Sequence, residues 1–224
     1  MSHPMNPRPN RERKRRGARA TTRRQRGTAA IEMALLLPIL VAIALPVVDF
    51  ARNMQAQMIL INVSREGANL ASRASLTFPM QTIMSSLTMT TPPLNMSANG
   101  MIYITQIIGN NNCDANGNNC TGVVVAQYRW NGGNDAAASS KLWNCGSSGG
   151  TSWSTDGTGS CAGLPSPGKN SPQVALLQGQ LSNGQIAYAV EAFYVQPPLI
   201  GGMNLSSILN TPALSPDLYA MTVF

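Results

Sequence analysis

The sequence predicts an α+β protein: a long N-terminal transmembrane/spine helix, then a small antiparallel β-sheet domain with a disulfide-tied loop. Three observations predict it. An uncharged apolar run, residues 33–48 (MALLLPILVAIALPVV), follows closely on a block of basic residues. Four runs of strand length, 100–109, 121–130, 184–196 and 217–224, lie beyond residue 99. Four cysteines, Cys113, Cys120, Cys145 and Cys161, all fall in one stretch rich in Asn, Gly and Ser.

The basic block comes first. The net charge of +7 is not spread over the chain. Residues 1–26 hold ten bases and one acid, and the remaining 198 residues hold six bases and eight acids. The basicity is therefore a tail and not a property of the fold. Such a tail serves either as a nucleic-acid arm or as a membrane-side anchor. The apolar run behind it selects the second, because a nucleic-acid arm needs no such segment.

With residues 28–32 added, the run reaches about 21 residues, enough to cross a hydrocarbon core of ~30 Å. Asp49 ends it. Basic residues crowd one flank only, which places 1–26 in the cytoplasm and 49–224 outside it, as in a bacterial inner-membrane protein with an extracytoplasmic domain. A cleaved secretory signal does not fit: the basic region is long where such a signal has a short one, and the run passes straight into a helical pattern. A twin-arginine signal at Thr22-Arg23-Arg24-Gln25 lacks the apolar pair behind it, since Arg26 and Gly27 stand there.

The stretch from Arg24 to Pro38 (RQRGTAAIEMALLLP) resembles the start of the TadE-like family, pseudopilins of the tight-adherence (Tad/Flp) branch of type IV pili. A basic leader ends in Gly27, and Glu32 stands fifth after it. The uncharged helix closes on Asp49-Phe50, and Arg65-Glu66-Gly67-Ala68 follows. The likeness covers 23–73 well and the rest loosely. It departs from related precursors at Thr28 and Met33. The resemblance implies cleavage between Gly27 and Thr28 by a prepilin peptidase, with Glu32 setting subunit register and assembly. The implied partners are the inner membrane, other pilin-like subunits, pilus platform proteins and the peptidase, with no nucleic acid. A separate physical argument points to Glu32: a carboxylate in a membrane span is costly, and so usually paired or functional. Once cleaved, the amine at Thr28 would lie one helical turn away. The rival reading is an uncleaved single-span protein with a periplasmic binding or scaffolding domain; it has no need of Gly27.

These readings divide the chain into a basic cytoplasmic leader (1–27), the transmembrane helix with its periplasmic extension (28–73), and a β-rich periplasmic domain (74–224). Past Asp49, Phe50, Met54, Met58 and Ile61 recur at helical spacing, and Ala56, Leu60, Val63 and Ala71 broaden that face. A helix from Thr28 to Ser72 would be roughly 68 Å long. Pro38 and Pro46 are tolerated inside a membrane span. Gly67 marks either a helix end or a close packing contact. Beyond about residue 75 the pattern changes, and Phe78-Pro79, Thr91-Pro92-Pro93 and Ser97-Ala98-Asn99-Gly100 are turn-rich. The mixed alternation of 184–196 predicts a sheet packed on both faces.

Residues 109–172 read as a loop insertion. An even cysteine number outside the cytoplasm predicts disulfides. Of three pairings, Cys113–Cys120 with Cys145–Cys161 closes the shortest loops. The spacings are not those of zinc knuckles, and no metal or other cofactor is expected. The single histidine, His3, lies in the leader, which removes histidine-based nucleophile triads from 28–224. Asp114, Asp135, Asp156, Glu191 and Asp217 show no spacing that suggests an acid/base pair. The expectation is a protein that is not an enzyme.

Overall fold

The computed structural model describes residues 18–74, 79–110, 121–135, 138–147, 149–167, 171–198 and 217–224, with side chains from Gly27 onward. Cys113, Cys120 and Asp114 lie outside the described residues. The chain divides into two compact units, residues 1–50 and 51–224. One helix, α1 (Ala18–Arg73), contributes to both.

In the first unit α1 continues through Pro38 and Pro46. It is long and apolar enough to cross a membrane, with a mean hydropathy of 2.5 in its most apolar window. Its large apolar side chains stand exposed, from Ile31 (64%) to Val48 (47%).

The second unit is a five-stranded antiparallel sheet with helices on one face. α1 is followed by α2 (Met80–Met89) and the single turn α3 (Met96–Asn99). The strands are β1 (Gly100–Asn110), β2 (Thr121–Arg129), β3 (Ser152–Trp153), β4 (Cys161–Ala162), β5 (Gln173–Val174), β6 (Ile186–Val195) and β7 (Asp217–Val223). The sheet order is β5-β2-β1-β6-β7, while β3 and β4 form a separate two-stranded hairpin. The four long strands coincide with the four runs read from sequence. β1 carries a register shift between Gln106 and Ile107 against β2.

The main core lies between this sheet and the helices. Leu60, Val63, Ala68 and Ala71 of α1 and Ile83, Met84 and Leu87 of α2 meet Ile102, Ile104, Val190, Ala192 and Tyr194. Each large side chain so buried contributes roughly 2 kcal/mol. α2 lies between the turn-rich stretches at Phe78-Pro79 and Thr91-Pro92-Pro93, where the sequence reading places no helix. Its inward positions 83, 84 and 87 follow helical spacing, but the segment is short and bounded by Pro79 and Thr90.

The buried stripe of α1 is not the methionine face. Ala56, Leu60, Val63, Ser64, Ala68 and Ala71 face inward, while Phe50 (60%), Met54 and Met58 (61%) are exposed. Small residues let the helix lie close to the sheet. Gly67 is such a contact and no helix end: a Cβ there would stand 2.8 Å from Leu87 Cδ1 and 3.0 Å from Val190 Cγ1.

The other sheet face carries two smaller apolar clusters, one with Ile107, Val124, Ala187 and Ala189 and one with Met101, Tyr103 and Phe193, together with buried polar side chains, and the stretch read as an insertion covers part of it. Gln127 and Glu191 are both 0% exposed. Gln127 Nε2 donates to Trp143 O (2.6 Å) and Thr105 Oγ1 (3.2 Å), while Cys145 N donates to Gln127 Oε1 (3.1 Å). The Gln127 side-chain amide thus holds the passing chain as a neighbouring strand's backbone would. Cys145–Cys161 is a disulfide with a Cα–Cα distance of 5.9 Å, and it ties this cover to the β3–β4 hairpin. Within 109–172, then, β2 sits between β5 and β1, and Val123 and Val124 belong to the core.

Candidate functional site on the N-terminal helix

The residues singled out by sequence lie at the start of the apolar helix. Gly27 is helical, outside the left-handed region, and a Cβ built on it would meet nothing within 4 Å. The fold therefore places no demand for glycine at 27. At Gly67 it does.

Thr28 and Glu32 are four residues apart on continuous helix, a rise of about 6 Å. Both are exposed. Among the described residues, no hydrogen bond or ion pair engages the Glu32 carboxylate. The group sits one residue from Ile31 and Met33, each over 60% exposed, in the most apolar part of the chain. A carboxylate so placed gains from any cation that approaches the helix laterally, because an unpaired charge in hydrocarbon costs about 3 kcal/mol even on insertion scales.

Most carboxylates of the second unit have structural work. Glu191 accepts from Ser140 Oγ, from Lys141 N (2.7 Å) and from Tyr219 Oη (2.9 Å). It fastens both the covering segment and β7 to the sheet. Burial, with this carboxylate beside it, holds the Tyr219 phenol well above its usual range. Burial likewise raises Tyr103, whose hydroxyl donates to Ala138 O at 2.8 Å. Asp135 Oδ1 accepts from Ala138 N (3.2 Å) in a turn. Asp156 Oδ1 accepts from Thr158 Oγ1 and Thr158 N, and the hydroxyl bond foremost holds its carboxyl below the usual range. Asp217 pairs with Val195 in the sheet register. Among the described residues, no group of three or more His, Cys, Asp or Glu is placed to hold a metal ion.

Sequence reasoning missed the positioning roles of Gln127 and Glu191. Two strongly polar residues inside strand-like runs were the available signal. Sequence pointed correctly to Cys145 with Cys161.

Residues 27–69 match the family model described as TadE-like protein. No curated protein and no solved structure matches the chain.

Proposed function

We propose, from the TadE-like segment at 27–69, that this chain is a pseudopilin: a minor subunit for assembly of a Tad/Flp-type IV pilus. A prepilin peptidase cuts it after Gly27 on the cytoplasmic side. Thr28 becomes the N-terminus, and the helix stays in the inner membrane with the β-rich domain outside. Its partners are other pilin-like subunits and the platform proteins. Its role is structural, not catalytic.

The observation that carries this reading is the glycine at 27. Glycine costs a helix about 1 kcal/mol against alanine, and neither backbone conformation nor packing calls for one there. An external requirement explains it, and a peptidase that reads the residue before its cut is such a requirement. The family match also begins at 27. The unpaired carboxylate at Glu32 adds weight: after the cut, a neighbouring subunit offers an amine to it.

The test is the intact mass and N-terminal residue of the membrane-extracted chain from its native host, beside Gly27→Ala. Alanine there leaves the fold undisturbed, so any change belongs to processing. An N-terminus at Thr28 that disappears in Gly27→Ala is expected. An intact leader, in cells whose peptidase cuts another precursor, would replace this reading with an uncleaved, single-span scaffold.

A further inference from the structure

Arg129 ends β2, opposite Tyr103 of β1 in the sheet register. Its side chain is half-buried, and the guanidinium carbon lies 4.9 Å from the centroid of the Trp153 ring. Ring contact supplies no hydrogen-bond acceptor. A guanidinium carries five N–H donors. Among the described residues, no hydrogen bond or ion pair engages those of Arg129. Donors partly withdrawn from water and left unpaired are costly.

Arg129 is part of the wall of a cavity of about 240 Å³, with Met101, Trp130, Asn131, Gly133 and Asn134. The loop after β2 is held in place from two sides. From α2, Gln81 Oε1 accepts from Asn131 N (3.1 Å) and Ser85 Oγ accepts from Trp130 Nε1 (3.3 Å). Across from it, Asn131 Nδ2 donates to Gly157 O at 2.7 Å. Gly133 passes so close to β1 that a Cβ would stand 2.7 Å from Gly100 O. The cavity is therefore pre-formed, which lowers the cost of binding. Asn134 is exposed, and among the described residues its side-chain amide has no partner. The next residue, Asp135, is committed elsewhere: its Oδ1 accepts from Ala138 N (3.2 Å), and it lines a separate pocket with Lys141 and Tyr219.

The backbone narrows the class of ligand. Phosphate groups and terminal carboxylates of peptides are commonly held by runs of free backbone N–H groups. Here the N–H groups of Trp130, Asn131, Gly133 and Asp135 are spent, on Ile102 O, Gln81 Oε1, Trp130 O and Gly100 O. Recognition falls to side chains. Arg129 offers the planar fork that matches a carboxylate bidentately. Asn134 offers an amide that both donates and accepts, as a hydroxyl does. Met101 and Trp130 add apolar wall. The volume lies below the ~300–1,000 Å³ of pockets for drug-sized ligands, and suits a single ring.

We infer that this pocket binds the carboxylate-bearing ring of an acidic sugar, a uronic acid, with Arg129 on the carboxylate and Asn134 on ring hydroxyls. Every residue it uses lies in the second unit, so the inference is independent of the pseudopilin reading and of processing at Gly27.

The experiment is saturation-transfer NMR on the full chain, in a detergent without a sugar headgroup. The probes are D-glucuronate, D-glucose, acetate and N-acetyl-dialanine. Glucuronate should half-saturate at a concentration about tenfold lower than glucose or acetate, because only it meets both Arg129 and Asn134. Arg129→Gln should weaken glucuronate about tenfold or more, and Arg129→Lys, which keeps the charge and loses the fork, should restore only part of that. Variants at 129 also lose the contact with Trp153, so a second position separates binding from folding. Asn134→Asp puts a negative charge at an exposed, unbonded side chain. It should weaken glucuronate by a similar factor and leave the denaturant midpoint of the parent. Glucuronate binding no tighter than glucose would overturn the inference. So would parental affinity in Asn134→Asp, which would place the sugar elsewhere on the chain. N-acetyl-dialanine binding as tightly as glucuronate would also overturn it, and would identify a peptide carboxylate as the ligand.

Discussion

Gly67 and Gly27 sit on the same helix and answer to different constraints. At 67 the nearest atoms are Leu87 Cδ1 and Val190 Cγ1, at 2.8 and 3.0 Å from a built Cβ. Alanine would push a flexible leucine methyl and recover helix propensity of about 1 kcal/mol, so its two effects oppose. Valine adds two further methyl groups against a β-strand and recovers less propensity than alanine. Gly67→Val is therefore expected to destabilise the second unit by about 2 kcal/mol through overpacking, read as a lower midpoint in denaturant unfolding of the detergent-solubilised chain. An unchanged midpoint would mean that α1 and the sheet separate without cost. At 27 the helix has open space, and in the pseudopilin reading proposed above only processing should notice a substitution.

At the scale of elements, the covering segment behaves as a substitute for a third layer. Among the described residues no α-helix lies on this second face of the sheet; residues 138–147 and 149–164 and the short 3-10 turn Ala175–Leu177 cover it instead. Gln127 and Glu191 fasten the first part through backbone groups, and Cys145–Cys161 fastens the second to the first. Gln81 Nε2 adds bonds to Arg129 O and Thr158 O from α2. Cysteines 16 residues apart close a loop whose cross-link contributes about 3 kcal/mol, chiefly by restricting the unfolded chain. Replacing both with serine should lower unfolding stability by about that amount and leave the β1–β6–β7 ladder intact. Limited proteolysis should then cut first between 145 and 161. Cleavage first in β6 or β7 would show that the cover and the sheet unfold as one.

For the whole molecule, membrane insertion and assembly are separable demands on one helix. Insertion needs the apolar run, which tolerates or gains from loss of a charge. Assembly, in the reading proposed here, needs Glu32 to meet a cation on a neighbour. Glu32→Ala should therefore insert as well as the parent and fail to enter the pilus assembly. Membrane fractionation and piliation counts check the two halves independently. Normal piliation in Glu32→Ala would remove the register role while leaving the anchor untouched.

The sequence by itself determined the elements whose signal is local. A 16-residue uncharged run forms a helix whatever follows it, and the runs at 100–109, 121–130, 184–196 and 217–224 became β1, β2, β6 and β7. Cys145 with Cys161 was legible because a short loop limits the partners within reach. Tertiary structure decided the rest. On α1, Phe50, Met54 and Met58 stay exposed while the stripe of Ala56, Leu60, Val63, Ser64, Ala68 and Ala71 is buried, because close approach to the sheet favours a stripe with many small side chains. Gln127 and Glu191 read as interruptions of strands and act as clamps. Their partners are backbone groups of a segment distant in sequence, and no periodicity records where that segment passes.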